Sequence, residues 1–310
     1  MWRPFGAKHG LDSGEGWEER RLTYLEAIVL GVIQGATEWL PISSTAHLRV
    51  VPALLGWSDP GAAFTAVSQL GTVLAALVYF RRDIMDMALG TGSPLDAEER
   101  PGRRLLLPVI AGTVPVVLVG YLLKDYIEGP FRSLWVVAAS LIVFALLLAF
   151  AETRRSVRRG IGTVTVMDGL MVGIGQTLSL IPGASRSGTT IMAALLAGME
   201  RSAAARFSFI LSLPAITAAG LFELWHWRDA ILSDAQIGPT LAATVVAFVV
   251  GWATIHWLIG YLRTRSTFLF IWYRVLLGVA ILLLVAGGLV PANDHSAAAR
   301  TAPTASAPSR

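Results

Sequence analysis

The chain has 310 residues, 54% of them apolar and 15% charged, no cysteine, and a formal net charge of +4. Mean hydropathy is +0.61 and the sequence pI is about 9.7. A soluble domain carries roughly a quarter charged residues, so an ordinary soluble fold is excluded; disulfides and thiolate metal sites are excluded too, and no basic run is interleaved with aromatics as nucleic-acid binding would require.

Residues 1–21 are polar and of mixed charge, with no apolar segment and small-residue cleavage site before Tyr24, so no removable signal peptide is expected. An apolar stretch, 22–56, follows and is broken by Pro41-Ile42-Ser43-Ser44. Uncharged apolar runs come next at about 62–80, 105–123 and 133–151, each near the ~20 residues needed to cross ~30 Å of hydrocarbon. A second interrupted stretch, 163–199, is broken by Pro182-Gly183-Ala184-Ser185. Three further spans are predicted at about 206–224, 239–262 and 267–290. Glu223 ends the first of these and Arg274 lies near the start of the last; both are expected to snorkel to an interface. The Ala-, Pro- and Ser-rich tail 292–310 is expected to be disordered.

Irregular backbone is tolerated at membrane depth only where protein or a wet cavity covers it. The two broken stretches therefore read as re-entrant hairpins of half-length helices. They also resemble each other. Gln34 and Gln176 each precede a proline, Pro41-x-x-Ser44 matches Pro182-x-x-Ser185, and the segment from Phe64 aligns with that from Phe207. One hairpin plus three spans then repeats, as 22–151 and 152–291, and an odd number of spans inverts the second copy. The predicted fold is an all-α polytopic membrane protein: six transmembrane helices plus two re-entrant hairpins in an inverted-topology repeat.

Loop charge sets the orientation. With 81–104 inside, thirteen arginines lie inside (81, 82, 100, 103, 104, 154, 155, 158, 159, 201, 206, 263 and 265), against Lys124, Arg132 and Arg228 outside. Both termini would face outward, and the two hairpins would enter from opposite sides with their tips meeting near the midplane.

The tips carry the polar residues. Gln34 and Glu38 share a helix face, as do Ser44 and His47. Ser43 or Ser44 can cap the next half-helix. The second tip offers Ser185, Arg186, Ser187, Thr189 and Thr190. Helix N-termini favour anions, and a guanidinium suits phosphate, so this tip reads as a phosphate clamp. The first tip adds a carboxylate, a hydroxyl and an imidazole, an acid–base and nucleophile set. Taken singly, each residue has a plainer role: a membrane serine usually bonds its own backbone, a lone Glu can serve an ion path, and Gly183 and Gly188 suit close helix packing. His226 and His256 read as satisfied or interfacial and receive no role. The conjunction on two matched breaks is what favours a site.

The segments GVIQGATEWLPISSTAHL and DGLMVGIGQTLSLIPGASRSGTT, with FTAVSQLGTVLAALVYFRRD and FSFILSLPA, resemble the undecaprenyl-pyrophosphate phosphatase family of the bacitracin-resistance type, over about 22–291. The resemblance implies a multi-pass enzyme of the bacterial plasma (inner) membrane with its site facing outward, hydrolysing undecaprenyl diphosphate to the monophosphate and so recycling the lipid carrier of cell-wall synthesis. It implies Glu38, Ser44, His47 and Arg186 as catalytic residues, and Ser43, Ser185, Arg186, Ser187 and Thr190 around the phosphates. A divalent cation, Mg²⁺ or Ca²⁺, is expected, with Glu38 and Gln34 as candidate ligands; Gln34 stands where other members carry Glu, leaving one carboxylate in that motif. Ser44, His47 or an activated water could attack, with Glu38 or His47 as base. The oligomeric state stays open, a homodimer included. The rival reading is an inverted-repeat lipid flippase or ion-coupled transporter.

Overall fold

The structure, a computed structural model, describes residues 22–57, 61–91, 101–123, 133–154, 159–226, 234–290 and 292. The segment 1–21 and, apart from Ala292, the tail 292–310 lie outside the described residues. So do Arg100, Lys124, Arg132, Arg155, Arg158 and Arg228 of the charge count.

Helix α1 (Tyr24–Trp39) starts at a capping box: the Thr23 hydroxyl accepts from the Glu26 N–H, and the Glu26 carboxylate accepts from the Thr23 N–H. It ends because Pro41 cannot donate and forces Leu40 into extended backbone (φ −70°, ψ 142°). Helix α2 (Ser44–Leu55) follows at once, capped by Ser43 and closed by Gly56 at φ 66°. Then come α3 (Gly61–Tyr79), α4 (Arg81–Leu89), α5 (Leu106–Leu122) and α6 (Leu134–Arg154).

The second broken stretch is built the same way. Helix α7 (Val166–Thr177) opens with a capping box of Thr165 and Asp168, and Arg159 grips the Asp168 carboxylate with two bonds, at 3.0 and 2.7 Å. The chain breaks at Ile181-Pro182-Gly183, and α8 (Arg186–Leu196) starts from Ser185. Helices α9 (Arg201–His226), α10 (Asp234–Thr264) and α11 (Phe268–Ala286) complete the chain.

Among the described residues there is no named strand; five helices are long and apolar enough to cross a membrane, or six if α3 and α4, bent by 64° at Phe80, count as one span. A helix therefore falls on each of the six predicted spans. The last stops at Ala286, short of 290, and the first runs on past 80 through the bend.

Helix α1 lies against α10, and α7 against α5. A side chain at Gly173 would sit 2.2 Å from the Gly112 carbonyl oxygen, and one at Gly31 2.6 Å from that of Ala243, so both pairs touch backbone to backbone. Helix α3 packs on α9 and α10, α6 on α8 and α11, and the short α8 also on α7 and α9. A buried aromatic pair, Trp39 edge-on to Phe209 at 4.9 Å, fills the space beside the end of α1.

One sequence expectation is overturned. Arg274 does not snorkel; it is 0% exposed. Its guanidinium donates to the carbonyls of Leu141 (3.3 Å), Pro41 (3.4 Å), Gly183 (3.2 Å) and Ala184 (2.8 Å). The reason lies in the breaks. Carbonyls freed where helices stop in a buried interior need donors, and a guanidinium supplies five in a rigid fork. Gly188 makes room: a Cβ there would lie 2.5 Å from Arg274 Nη1.

Candidate active site

The two breaks face each other. The Ser187 hydroxyl, at the start of α8, donates to the Leu40 carbonyl at 2.8 Å, beyond the end of α1. Arg274 bridges Pro41 of one break to Gly183 and Ala184 of the other. Ser43 (φ 73°, ψ 97°) and Ser185 (φ 69°, ψ 116°) are the described non-glycine residues with positive φ. Each such residue costs about 1–3 kcal/mol, and such strain gathers at functional sites. Each caps its helix: Ser43 Oγ accepts from the Ala46 N–H at 3.4 Å, and Ser185 Oγ from the Gly188 N–H at 3.2 Å. The remaining first-turn N–H groups of α2 and α8 have no acceptor within their own helix.

Between the tips is a cavity of about 50 Å³, lined by Glu38, Ser44, Thr45, Ser179, Ser185 and Arg186. Glu38 is its centre. The carboxylate accepts from the Ser44 hydroxyl at 2.8 Å, from Gln34 Nε2 at 3.0 Å and from Gln69 Nε2 at 3.4 Å. Arg186 Nη1 stands 3.6 Å from it, buried and without a hydrogen-bond partner. A hydroxyl is thus paired with a carboxylate, beside a guanidinium that has donor capacity to spare and at the positive ends of two helices. Such a set can bind a phosphoanion, take a proton from an attacking oxygen and stabilise charge building on phosphorus.

The structure brings Glu38, Ser44, Ser185 and Arg186 to one cavity. The other expected residues have different contacts. His47 does not line the cavity: its Nδ1 donates to the Ser43 carbonyl at 2.7 Å, and its Nε2 lies 2.6 Å from the Tyr273 hydroxyl. Ser187 bonds Leu40, and the buried Thr190 hydroxyl donates to the Arg186 carbonyl at 2.8 Å, tying down the turn that carries Arg186. The Ser43 and Ser185 hydroxyls serve their caps.

Sequence reasoning missed five residues: Thr45, Gln69, Ser179, Tyr273 and Arg274. Gln69 was visible as an amide inside an apolar run, and Arg274 as a charge near the start of the last span. Thr45 and Ser179 carried no signal apart from standing within the two motif segments, and Tyr273, far from both in the chain, carried none.

The fit for a divalent cation turns on Gln34. Its Oε1 is buried and has no hydrogen-bond partner, next to the Glu38 carboxylate. Among the described residues no group of three His, Asp or Glu could hold a metal. Mg²⁺ is commonly held by one or two carboxylates together with substrate phosphates. One carboxylate and one orphaned amide oxygen fit such a shared ion and do not fit a closed protein cage.

Known proteins resemble this chain over most of its length. The family model described as "Bacitracin resistance protein BacA" matches residues 27–280. An undecaprenyl-diphosphatase of Myxococcus xanthus (strain DK1622) is 50% identical over 274 residues, covering 86% of this chain and 91% of that protein. That of Chlorobium phaeobacteroides (strain BS1) is 47% identical over 285 residues, 87% of this chain and 100% of that protein. Undecaprenyl-diphosphatase 2 of Streptomyces coelicolor is 44% identical over 292 residues, 89% and 99% of the respective chains.

Proposed function

This chain belongs to the bacitracin resistance protein BacA family, and on that premise we propose how its own residues carry out the reaction. It is a membrane enzyme that dephosphorylates undecaprenyl diphosphate. The Ser44–Glu38 hydrogen bond of 2.8 Å carries the mechanistic reading.

The diphosphate enters between the tips while the polyprenyl tail lies along apolar helix surface. Arg186 and the first-turn N–H groups of α8 and α2 hold the phosphates, with Thr45 and Ser179 at the edge of the cavity. Ser44 Oγ attacks the terminal phosphorus. The Oγ–P bond forms, the bridging P–O bond breaks, undecaprenyl phosphate leaves, and the Oγ proton passes to Glu38. Glu38 hands that proton to the departing undecaprenyl phosphate and is a carboxylate again; it then draws a proton from water, which attacks the phosphoserine, the P–Oγ bond breaks, Oγ takes the proton back from Glu38, and phosphate is released with Ser44 restored. A divalent cation, Mg²⁺ or Ca²⁺, would be held by Glu38 and Gln34 and would offset the diphosphate charge.

We further propose that the halves are inverted copies and that the site opens to the outer face of a bacterial inner membrane. The capping boxes at Thr23 and Thr165 and the strained serines at 43 and 185 are matched in order and spacing. The pairing of α1 with α10 is repeated by α7 with α5. The arginine count supports the orientation. A flippase or carrier needs no hydroxyl on a carboxylate beside a guanidinium whose Nη1 is free of hydrogen bonds, so hydrolysis is favoured over transport.

Phosphate release from a polyprenyl diphosphate by purified protein in detergent tests the reading. Glu38→Gln keeps the size of the side chain and removes the base, and is expected to lower kcat by about 10³-fold, within the usual span for a general base. Ser44→Ala should fall as far; a variant that keeps its rate would eliminate the serine nucleophile. Removing divalent ions with a chelator should suppress turnover, with Mg²⁺ or Ca²⁺ restoring it. Unchanged turnover in excess chelator would remove the cation.

A further inference from the structure

We infer that His47 is a positioning residue: held by Tyr273, it braces the strained Ser43 turn so that the Ser44 hydroxyl stays on Glu38. This rests on the reading of Ser44 as the attacking group.

The two tips differ in how their strained serines are held. In the second, the Ser185 carbonyl accepts the Thr189 N–H at 2.9 Å, an ordinary first-turn helix bond. In the first, the corresponding bond from the His47 N–H to the Ser43 carbonyl is stretched to 3.5 Å. The His47 side chain makes up the deficit, reaching back to the same carbonyl at 2.7 Å. A carbonyl oxygen only accepts, so Nδ1 carries the proton. That leaves Nε2 as the acceptor for the Tyr273 O–H at 2.6 Å, with the two rings nearly parallel at 5°. Both ring nitrogens are committed, and neither points into the cavity.

Ser43 directly precedes the nucleophile, and its unusual dihedrals aim α2 and Ser44 at Glu38. Loss of the short bond frees the turn to relax, and a displacement near 1 Å at the reacting oxygen costs about 10²-fold in rate. Tyr273 and Arg274 are neighbours on α11. That single helix thus steadies both breaks, the first through His47 and Pro41 and the second through Gly183 and Ala184.

The test separates support from proton transfer. Asparagine can offer an N–H near the place of Nδ1 yet cannot exchange a proton as imidazole does. In phosphate-release kinetics, His47→Ala should lose about 10²-fold in kcat, in line with a misplaced group, while His47→Asn should recover most of that loss. Tyr273→Phe, which removes only the hydroxyl, should lower kcat several-fold with KM unchanged. His47→Asn as inactive as His47→Ala, with both folded, would overturn the inference, as would Tyr273→Phe with wild-type kinetics. Ser44→Ala in the same series reports on the serine reading alone, so failure of that reading is told apart from failure of the brace.

Discussion

Arg186→Ala is expected to lower phosphate release by about 10³-fold or more, the range found where an arginine stabilises a transferring phosphoryl group. Nη1 of Arg186 is buried, lacks a hydrogen-bond partner and stands 3.6 Å from Glu38. An unpartnered buried donor is costly, and a phosphate oxygen between the tips would satisfy it. The loss should fall mainly on kcat, because the charge spreading over the equatorial oxygens grows toward the transition state. Arg186→Lys should restore only part of the rate, since an ammonium is a point charge and cannot reproduce the planar fork. Steady-state kinetics on folded, purified variants would check this, and near-wild-type turnover by Arg186→Ala would remove the phosphate clamp.

Arg274→Met is expected to abolish activity and to lower the melting temperature in detergent. Methionine has a similar reach and no donors. It would leave the carbonyls of Leu141, Pro41, Gly183 and Ala184 without the guanidinium that now serves them. Each buried polar group left unsatisfied costs about 1–3 kcal/mol, so several at once are a large fraction of a marginal stability. Arg274→Lys should fail as well, because three donors on one nitrogen cannot span both breaks. Gly188→Ala offers an independent check: its methyl would displace Nη1 from 2.5 Å and should weaken the same junction. An Arg274→Met protein that melted and turned over like the wild type would show that the tips are held by something else.

Much of the architecture was legible before the structure, because it rests on local features. Length and lack of charge marked the spans. Pro41 and Pro182 marked the breaks, since a proline stops a helix through its own ring and missing N–H. Glu38, Ser44, Ser185 and Arg186 were legible because each stands beside one of those breaks, and all four line the cavity. The same logic misjudged Arg274 and did not foresee the contact that Ser187 makes. A hydroxyl in a phosphate-clamp motif suggested a ligand contact, and the structure shows the Ser187 hydroxyl donating to the Leu40 carbonyl at the other break. A guanidinium near a span end suggested an interface, but it lies at 0% exposure between the tips.

The sequence by itself determined the all-helical membrane character of this protein, the two interrupted segments and the carboxylate, hydroxyl and guanidinium they carry. Chain length, apolar runs and proline act within a few residues of themselves. Only the tertiary structure decided which groups face the cavity and which hold the backbone around it. Where two helices stop inside a packed interior, their freed carbonyls must find donors, and those donors came from far along the chain: Ser187 for Leu40, Arg274 for Pro41, Gly183 and Ala184. No local pattern encodes such a pairing, because it is set by which helices come to lie side by side.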